Sequence, residues 1–147
     1  MYTKRLAPFI AALFALAPGA AAAEPLRLDG AYRFQTDARQ NGRPVCSETW
    51  SFSGETLTVT SGQEIVRKRF RLEPWGGLSV LVSETLETNG APDCAGRASS
   101  GPAPGECRTL LVAFNDGAIS TCPAPAGEPS RTIVGGCYGT LRPAPGG

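Results

Sequence analysis

The feature that most constrains the fold is a two-residue alternation of apolar and polar side chains, in short runs separated by turn residues. Successive side chains of a β-strand point to opposite faces, so such a run buries one face and leaves the other in water. A helix would need apolar residues three and four apart. Glu48, Trp50 and Phe52 alternate with Ser47, Thr49 and Ser51. Leu57 and Val59 alternate with threonines, which suit a half-buried strand better than a helix interior. Val66, Phe70 and Leu72 share a face with Lys68, while Ile65, Arg67, Arg69 and Arg71 share the other. No segment sustains a helical period.

These runs predict strands over Asp29–Thr36, Cys46–Ser53, Thr56–Ser61, Glu64–Glu73, Leu78–Thr88, Arg108–Phe114, Ala118–Cys122 and about Thr132–Leu141. Ser53-Gly54, Gly62-Gln63, Pro74-Trp75-Gly76-Gly77 and Asn115-Asp116-Gly117 supply turns between them. Two stretches rich in Gly and Pro, 91–106 and 123–131, predict long flexible loops, and Pro143 to Gly147 a frayed tail. A meander of seven or eight antiparallel strands must close or find a second sheet to protect its edges. The expected fold is therefore all-β: a small antiparallel up-and-down barrel of about eight strands. Such a barrel is just wide enough to be filled by its own side chains or to hold one small ligand. Tyr32, Phe34, Trp50, Phe52, Phe70 and Phe114 are the large interior candidates, and they predict a filled or nearly filled core.

Residues 1–23 read as a cleavable secretory signal. Lys4 and Arg5 precede an apolar run from Leu6 to Ala17, and Ala21 and Ala23 provide the small residues of a cut after Ala23. A spanning helix would need roughly 20 apolar residues, and this core offers about twelve. Residues 24–147 then form a single domain, periplasmic or secreted, with no transmembrane segment after cleavage. All five cysteines fall in this part, and an exported chain meets an oxidising compartment where cysteines pair. Five ways to choose the odd cysteine and three ways to pair the rest give fifteen arrangements.

Without Lys4 and Arg5, the 14 basic residues of the chain fall to 12 against 13 acidic, a net charge of −1. Nucleic acid is not an expected partner, because phosphate binding needs a concentrated basic surface. Lys68 is the only lysine after the leader and reads as compositional drift toward arginine. The chain has no histidine, which removes Ser-His and Cys-His nucleophile systems. There is no C-x-x-C pair, no G-x-S-x-G, no S-x-x-K and no phosphate loop. The expectation is a non-enzymatic protein without metal or cofactor.

Three features remain as candidates. Arg67, Arg69 and Arg71 form a stripe that suits an anionic ligand, or else a solvated outer face, the usual fate of alternate charges on a strand. Glu48, in phase with Trp50 and Phe52, points inward or sits at the barrel mouth. A buried carboxylate needs a cation or several hydrogen bonds, and Arg33 or Arg142 are the cations at hand. Glu48 is then either a polar anchor in a ligand pocket, half of a structural ion pair, or simply a rim residue. Trp75, between Pro74 and Gly76-Gly77, is the candidate for an exposed contact. Glu48, Trp50, Trp75 and Arg142 are thus the candidate ligand-binding residues.

The order Cys46-x-Glu48-x-Trp50-x-Phe52, Ser61-Gly62-x-Glu64, Asn89-Gly90-x-Pro92-Asp93-Cys94-x-Gly96, Cys122 and Cys137-Tyr138-Gly139 resembles an uncharacterised family of small exported bacterial proteins. The resemblance runs from Gly30 to Arg142, and its most specific part is the stretch from Asn89 to Gly96. It implies a lipocalin-like barrel and carries no activity. Gly30-Ala31-Tyr32 with Arg142 is also similar to the lipocalin pattern, in which a last-strand arginine packs over a first-strand tryptophan; here that position is Tyr32. The resemblance further implies that Cys46, Cys94, Cys122 and Cys137 form the bridges and that Cys107 is the odd cysteine. Cys122–Cys137 would close a Pro-rich loop of about 15 residues, worth roughly 3 kcal/mol, and would leave Cys46 with Cys94. The competing arrangement pairs Cys94 with Cys107. The functional expectation is an exported binding protein carrying a small ligand in or at the mouth of the barrel. The alternative is a module that binds another exported protein, or inhibits a periplasmic hydrolase, through its loops.

Overall fold

The computed structural model describes residues 24–124 and 136–145. The predicted signal, the Pro-rich loop from 125 and the predicted strand before 136 lie outside these residues. Every regular element among the described residues is a β-strand: β1 Gly30–Thr36, β2 Arg39–Gln40, β3 Arg43–Pro44, β4 Ser47–Ser53, β5 Thr56–Ser61, β6 Glu64–Trp75, β7 Leu78–Thr88, β8 Glu106–Ala113, β9 Ile119–Pro123 and β10 Gly139–Pro143. Eight of them close into an antiparallel barrel in the order β1-β10-β9-β8-β7-β6-β5-β4. Closure falls on β1, where Phe34 stands opposite Glu48 of β4 on one side and Leu141 of β10 on the other. Among the described residues the barrel has no open edge.

Several bounds differ from the sequence reading. Pro143 belongs to β10, and the Ala144 N–H donates to the Ala31 carbonyl at 2.8 Å, so the tail is tied down at its start. Sequence reading missed the small hairpin β2–β3. Its turn is Asn41-Gly42, with φ of 51° and 75°, the left-handed pair that a two-residue hairpin loop favours. Phe114 lies past the end of β8, in the turn to β9, and is 53% exposed instead of interior.

Inside the barrel, Phe34, Phe52, Leu57, Val59, Phe70, Leu81, Leu111, Ile119 and Leu141 form one buried cluster. Its aromatic rings are interlocked. Phe34 stacks on Trp50 at 5.2 Å, and Phe52 meets Tyr32 and Phe70 edge-on at 5.6 and 5.1 Å. Leu28 joins this cluster and Leu26 packs against it, so the segment before β1 closes one end of the barrel. Gly139 is required at its position: a Cβ there would run into the Phe34 ring and come within 2.7 Å of the Gln35 carbonyl oxygen.

A second cluster lies outside the barrel wall. Val80, Val82, Leu110 and Cys122 are buried there, with Trp75, Leu78, Val112, Ala124 and Cys137 packed on them. The consecutive apolar residues Val80-Leu81-Val82 and Leu110-Leu111 mark strands covered on both faces. Two bridges staple the fold: Cys46–Cys94, with Cα atoms 5.4 Å apart, and Cys122–Cys137, at 3.9 Å. Cys107 is unbridged, so the alternative Cys94–Cys107 pairing is not formed. Bridges of this kind persist in an oxidising, extracytoplasmic environment. No helix among the described residues is long and apolar enough to cross a membrane.

Candidate functional site

Away from the end closed by Leu26 and Leu28, the interior changes character. The buried polar residues Ser61, Ser83, Thr109 and Thr121 sit here, and half-buried Glu48 and Lys68 join them. Two cavities open among them, of about 250 and 340 Å³. Glu48, Trp50, Val59 and Lys68 line both, and so form a shared wall. The first cavity lies beneath Ser99, Gly101 and Ala103 of the loop after β7. The second faces Cys107, Thr109 and Tyr138.

Glu48 owes its position to strand phase, since it shares the inner face of β4 with Trp50 and Phe52. The Trp50 indole N–H donates to Glu48 Oε2 at 2.8 Å, a hydrogen bond strengthened by the carboxylate charge. The stack of Trp50 on Phe34 fixes that donor in place. Neither arginine considered for Glu48 pairs with it. Arg33 donates from Nε to Ser47 Oγ at 3.1 Å, and Arg142 meets Asp116 at 3.2 Å on the outer face. Tyr32 meanwhile packs inside against Phe52. Trp75 lies against the outer cluster of Val80, Val82 and Leu110. Of the four candidate residues, the structure therefore brings Glu48 and Trp50 together and places Trp75 and Arg142 elsewhere.

Lys68 is the residue that sequence reading passed over. It extends from the inner face of β6 and makes no ion pair within 4 Å to any described residue. Its phase with Val66, Phe70 and Leu72 was the available signal. The neighbouring arginines point outward and are each neutralised: Arg67 by Glu87 at 2.6 Å, Arg69 by Glu84 at 2.7 Å, and Arg71 by Glu106 at 2.6 Å. A bulge makes this ladder possible. Arg67 stands opposite Glu87 but Lys68 opposite Thr85, so Leu86 is the extra residue on β7. Were β7 to run through Leu86 without a bulge, strict alternation would turn Glu87 inward. The stripe is thus a paired surface and not an open anion site.

The loop over the mouth is anchored at its base. Sequence reading expected a flexible loop after β7, yet its first part is seated on the β5–β6 turn. The Pro92 carbonyl accepts the Gln63 and Glu64 N–H groups at 3.0 and 3.1 Å, and the Cys94 N–H donates to Ser61 Oγ at 3.1 Å. A Cβ on Gly62 would come within 2.8 Å of the Asp93 carbonyl, which shows how closely the two segments approach. Asp93 Oδ1 accepts the Ala95 and Arg97 N–H groups at 2.9 and 2.8 Å. These bonds, that from Arg97 first, hold the Asp93 carboxyl below its ordinary value. The Cys46–Cys94 bridge completes the attachment.

Other chemistry at the mouth is limited. The sulfurs of Cys46 and Cys94 lie within 4.8 Å of a Glu48 oxygen, a cluster with metal-ligand composition. Bonded to each other, those sulfurs have no thiolate to offer a metal. Tyr138 and Thr109 share a hydroxyl hydrogen bond of 2.8 Å, and burial, aided by nearby Cys107, holds the phenol above its ordinary range and hence neutral. A larger cleft of about 560 Å³ lies at the opposite end, beside Leu26, Leu72, Leu78 and Leu111. Its side chains are mostly apolar, and its Glu73 is already paired with Arg71 and Arg108. Convergent polar groups on an apolar wall are the stronger mark of a ligand site, and they occur at the mouth. No protein family, curated protein or solved structure matches this chain.

Proposed function

We propose that this is an exported, non-enzymatic, lipocalin-like binding protein whose site is the mouth of the barrel. On this reading, residues 1–23 are the export signal. The carrying observation is the division of the interior: one half is filled by interlocked aromatic rings, and the other is a roofed chamber with Glu48, Trp50 and Lys68 on its shared wall. A barrel that served only as a rigid body would gain more from an apolar filling, since half-buried charges cost desolvation. The loop that covers the chamber is anchored at its base by hydrogen bonds and a bridge at Pro92 and Cys94, which agrees with a preformed small-molecule site.

Non-denaturing mass spectrometry of the protein recovered from the extracytoplasmic fraction tests the proposal. The expected result is a co-purified small molecule, reduced in the Glu48→Gln variant while thermal stability changes little. Recovery of an empty barrel in complex with another protein would overturn it in favour of the loop-mediated partner reading.

A further inference from the structure

We infer that the mouth takes a zwitterion of about dipeptide size, its cationic end against Glu48 and its anionic end against Lys68. The inference rests on the mouth being the ligand site, and it narrows what that ligand is. Glu48 and Lys68 face the same two cavities with opposite charges, yet no ion pair within 4 Å joins them. Trp50 occupies one oxygen of Glu48 at 2.8 Å. The Cys94 sulfur, 3.8 Å from the other, is bridged and has no proton to donate. Among the described residues no N–H or O–H donor reaches that oxygen, which leaves it open to a donor from a ligand. Lys68 has three N–H donors and no described carboxylate to receive them.

Charge decides between ligand classes. A simple anion bound to Lys68 would also face the Glu48 carboxylate, and a simple cation bound to Glu48 would face the Lys68 ammonium. Each would carry a repulsion that a zwitterion converts into attraction. Size and shape narrow the class further. Cavities of about 250 and 340 Å³ suit a compact molecule. A long acyl chain has no room below them, because Phe34, Phe52 and Phe70 fill the barrel there. Trp50 and Val59 offer an apolar wall for a short side chain, and the Thr109 and Tyr138 hydroxyls offer partners for an amide.

Isothermal titration of the wild-type protein with alanyl-leucine, leucyl-alanine, their N-acetyl forms, their C-terminal amides and decanoate tests this. At least one free dipeptide should bind. Blocking either end should weaken binding about tenfold, the loss of one charge-assisted hydrogen bond. In Lys68→Met the acid and the amide should bind alike, and in Glu48→Gln the free and acetylated amines should bind alike. Blocked peptides that bind the wild type as well as free ones overturn the inference. So does decanoate binding with no dipeptide binding, although the mouth then remains a ligand site. If no compound of the panel binds, both the zwitterion and the mouth reading fall.

Discussion

Removing the Cys46–Cys94 bridge by the double change Cys46→Ser and Cys94→Ser should cost more than removing Cys122–Cys137, although the second bridge is set among fully buried residues. The first closes a loop of 48 residues that contains β4 to β7, half of the barrel wall; the second closes 15. In the chain-entropy account these correspond to about 4 and about 3 kcal/mol at room temperature. The cost falls mainly on the unfolded chain, because hydrogen bonds from Gln63, Glu64 and Cys94 still seat the roof when the sulfurs are gone. Urea denaturation at neutral pH should show both double variants folded, with midpoints lowered in that order. The slope should steepen most for Cys46→Ser/Cys94→Ser, whose unfolded state gains most surface. Cys107→Ser should leave the midpoint unchanged. A loss in Cys107→Ser comparable with either double variant would refute the bridge assignment. A larger loss for the 15-residue bridge would refute the entropic reasoning.

Two further changes probe the packing and the roof. Gly139→Ala drives a methyl into the Phe34 ring, and overpacking of this kind costs about 1–3 kcal/mol; pairing it with Phe34→Leu should recover part of the loss in thermal melts. Asp93 is held below its ordinary value of 3.8, and Glu73 and Glu106 below 4.5 by Arg108 and Arg71 respectively. A carboxyl with a lowered folded-state pKa stabilises fully above its unfolded value and stops doing so as pH falls through the folded one. Stability should therefore hold at neutral pH and decline below about pH 4.5, with Asp93→Asn flattening part of that decline; an unchanged acid limb would contradict the Asp93 contribution.

Much of the wall was legible from alternation alone. Thr56–Ser61 and Leu78–Thr88 have the expected bounds because Gly-containing turns flank both; the first run alternates sharply, and the second carries the consecutive apolar residues of a strand covered on both faces. The Asn41-Gly42 hairpin was missed although that dipeptide is a strong two-residue turn signal, because its strands are too short to show a period. The Leu86 bulge was not legible, because the side-chain pattern of β7 gives no sign of an extra residue; only the partners Glu84 and Glu87 across from Arg69 and Arg67 reveal it. The same dependence on distant partners governs the site. Glu48 and Trp50 were readable as inward by phase. That Glu48 is held by Trp50 and not by Arg33 or Arg142 depends on which side of the wall each arginine takes. Lys68 carried the phase of an interior residue, and its importance emerges only when β4 and β6 close around β5 and bring it onto the wall that Glu48 occupies.

The position of the ligand site is tested most directly by amide and indole chemical shifts of the labelled protein during titration with alanyl-leucine and, separately, decanoate. The Trp50 indole proton is bound to Glu48, and so reports on the chamber. The account predicts shifts confined to Glu48, the Trp50 indole, Val59, Lys68 and the roof at Ser99 to Ala103. Shifts confined to Leu26, Leu72, Leu78 and Leu111 at the opposite end, or none anywhere, would contradict it.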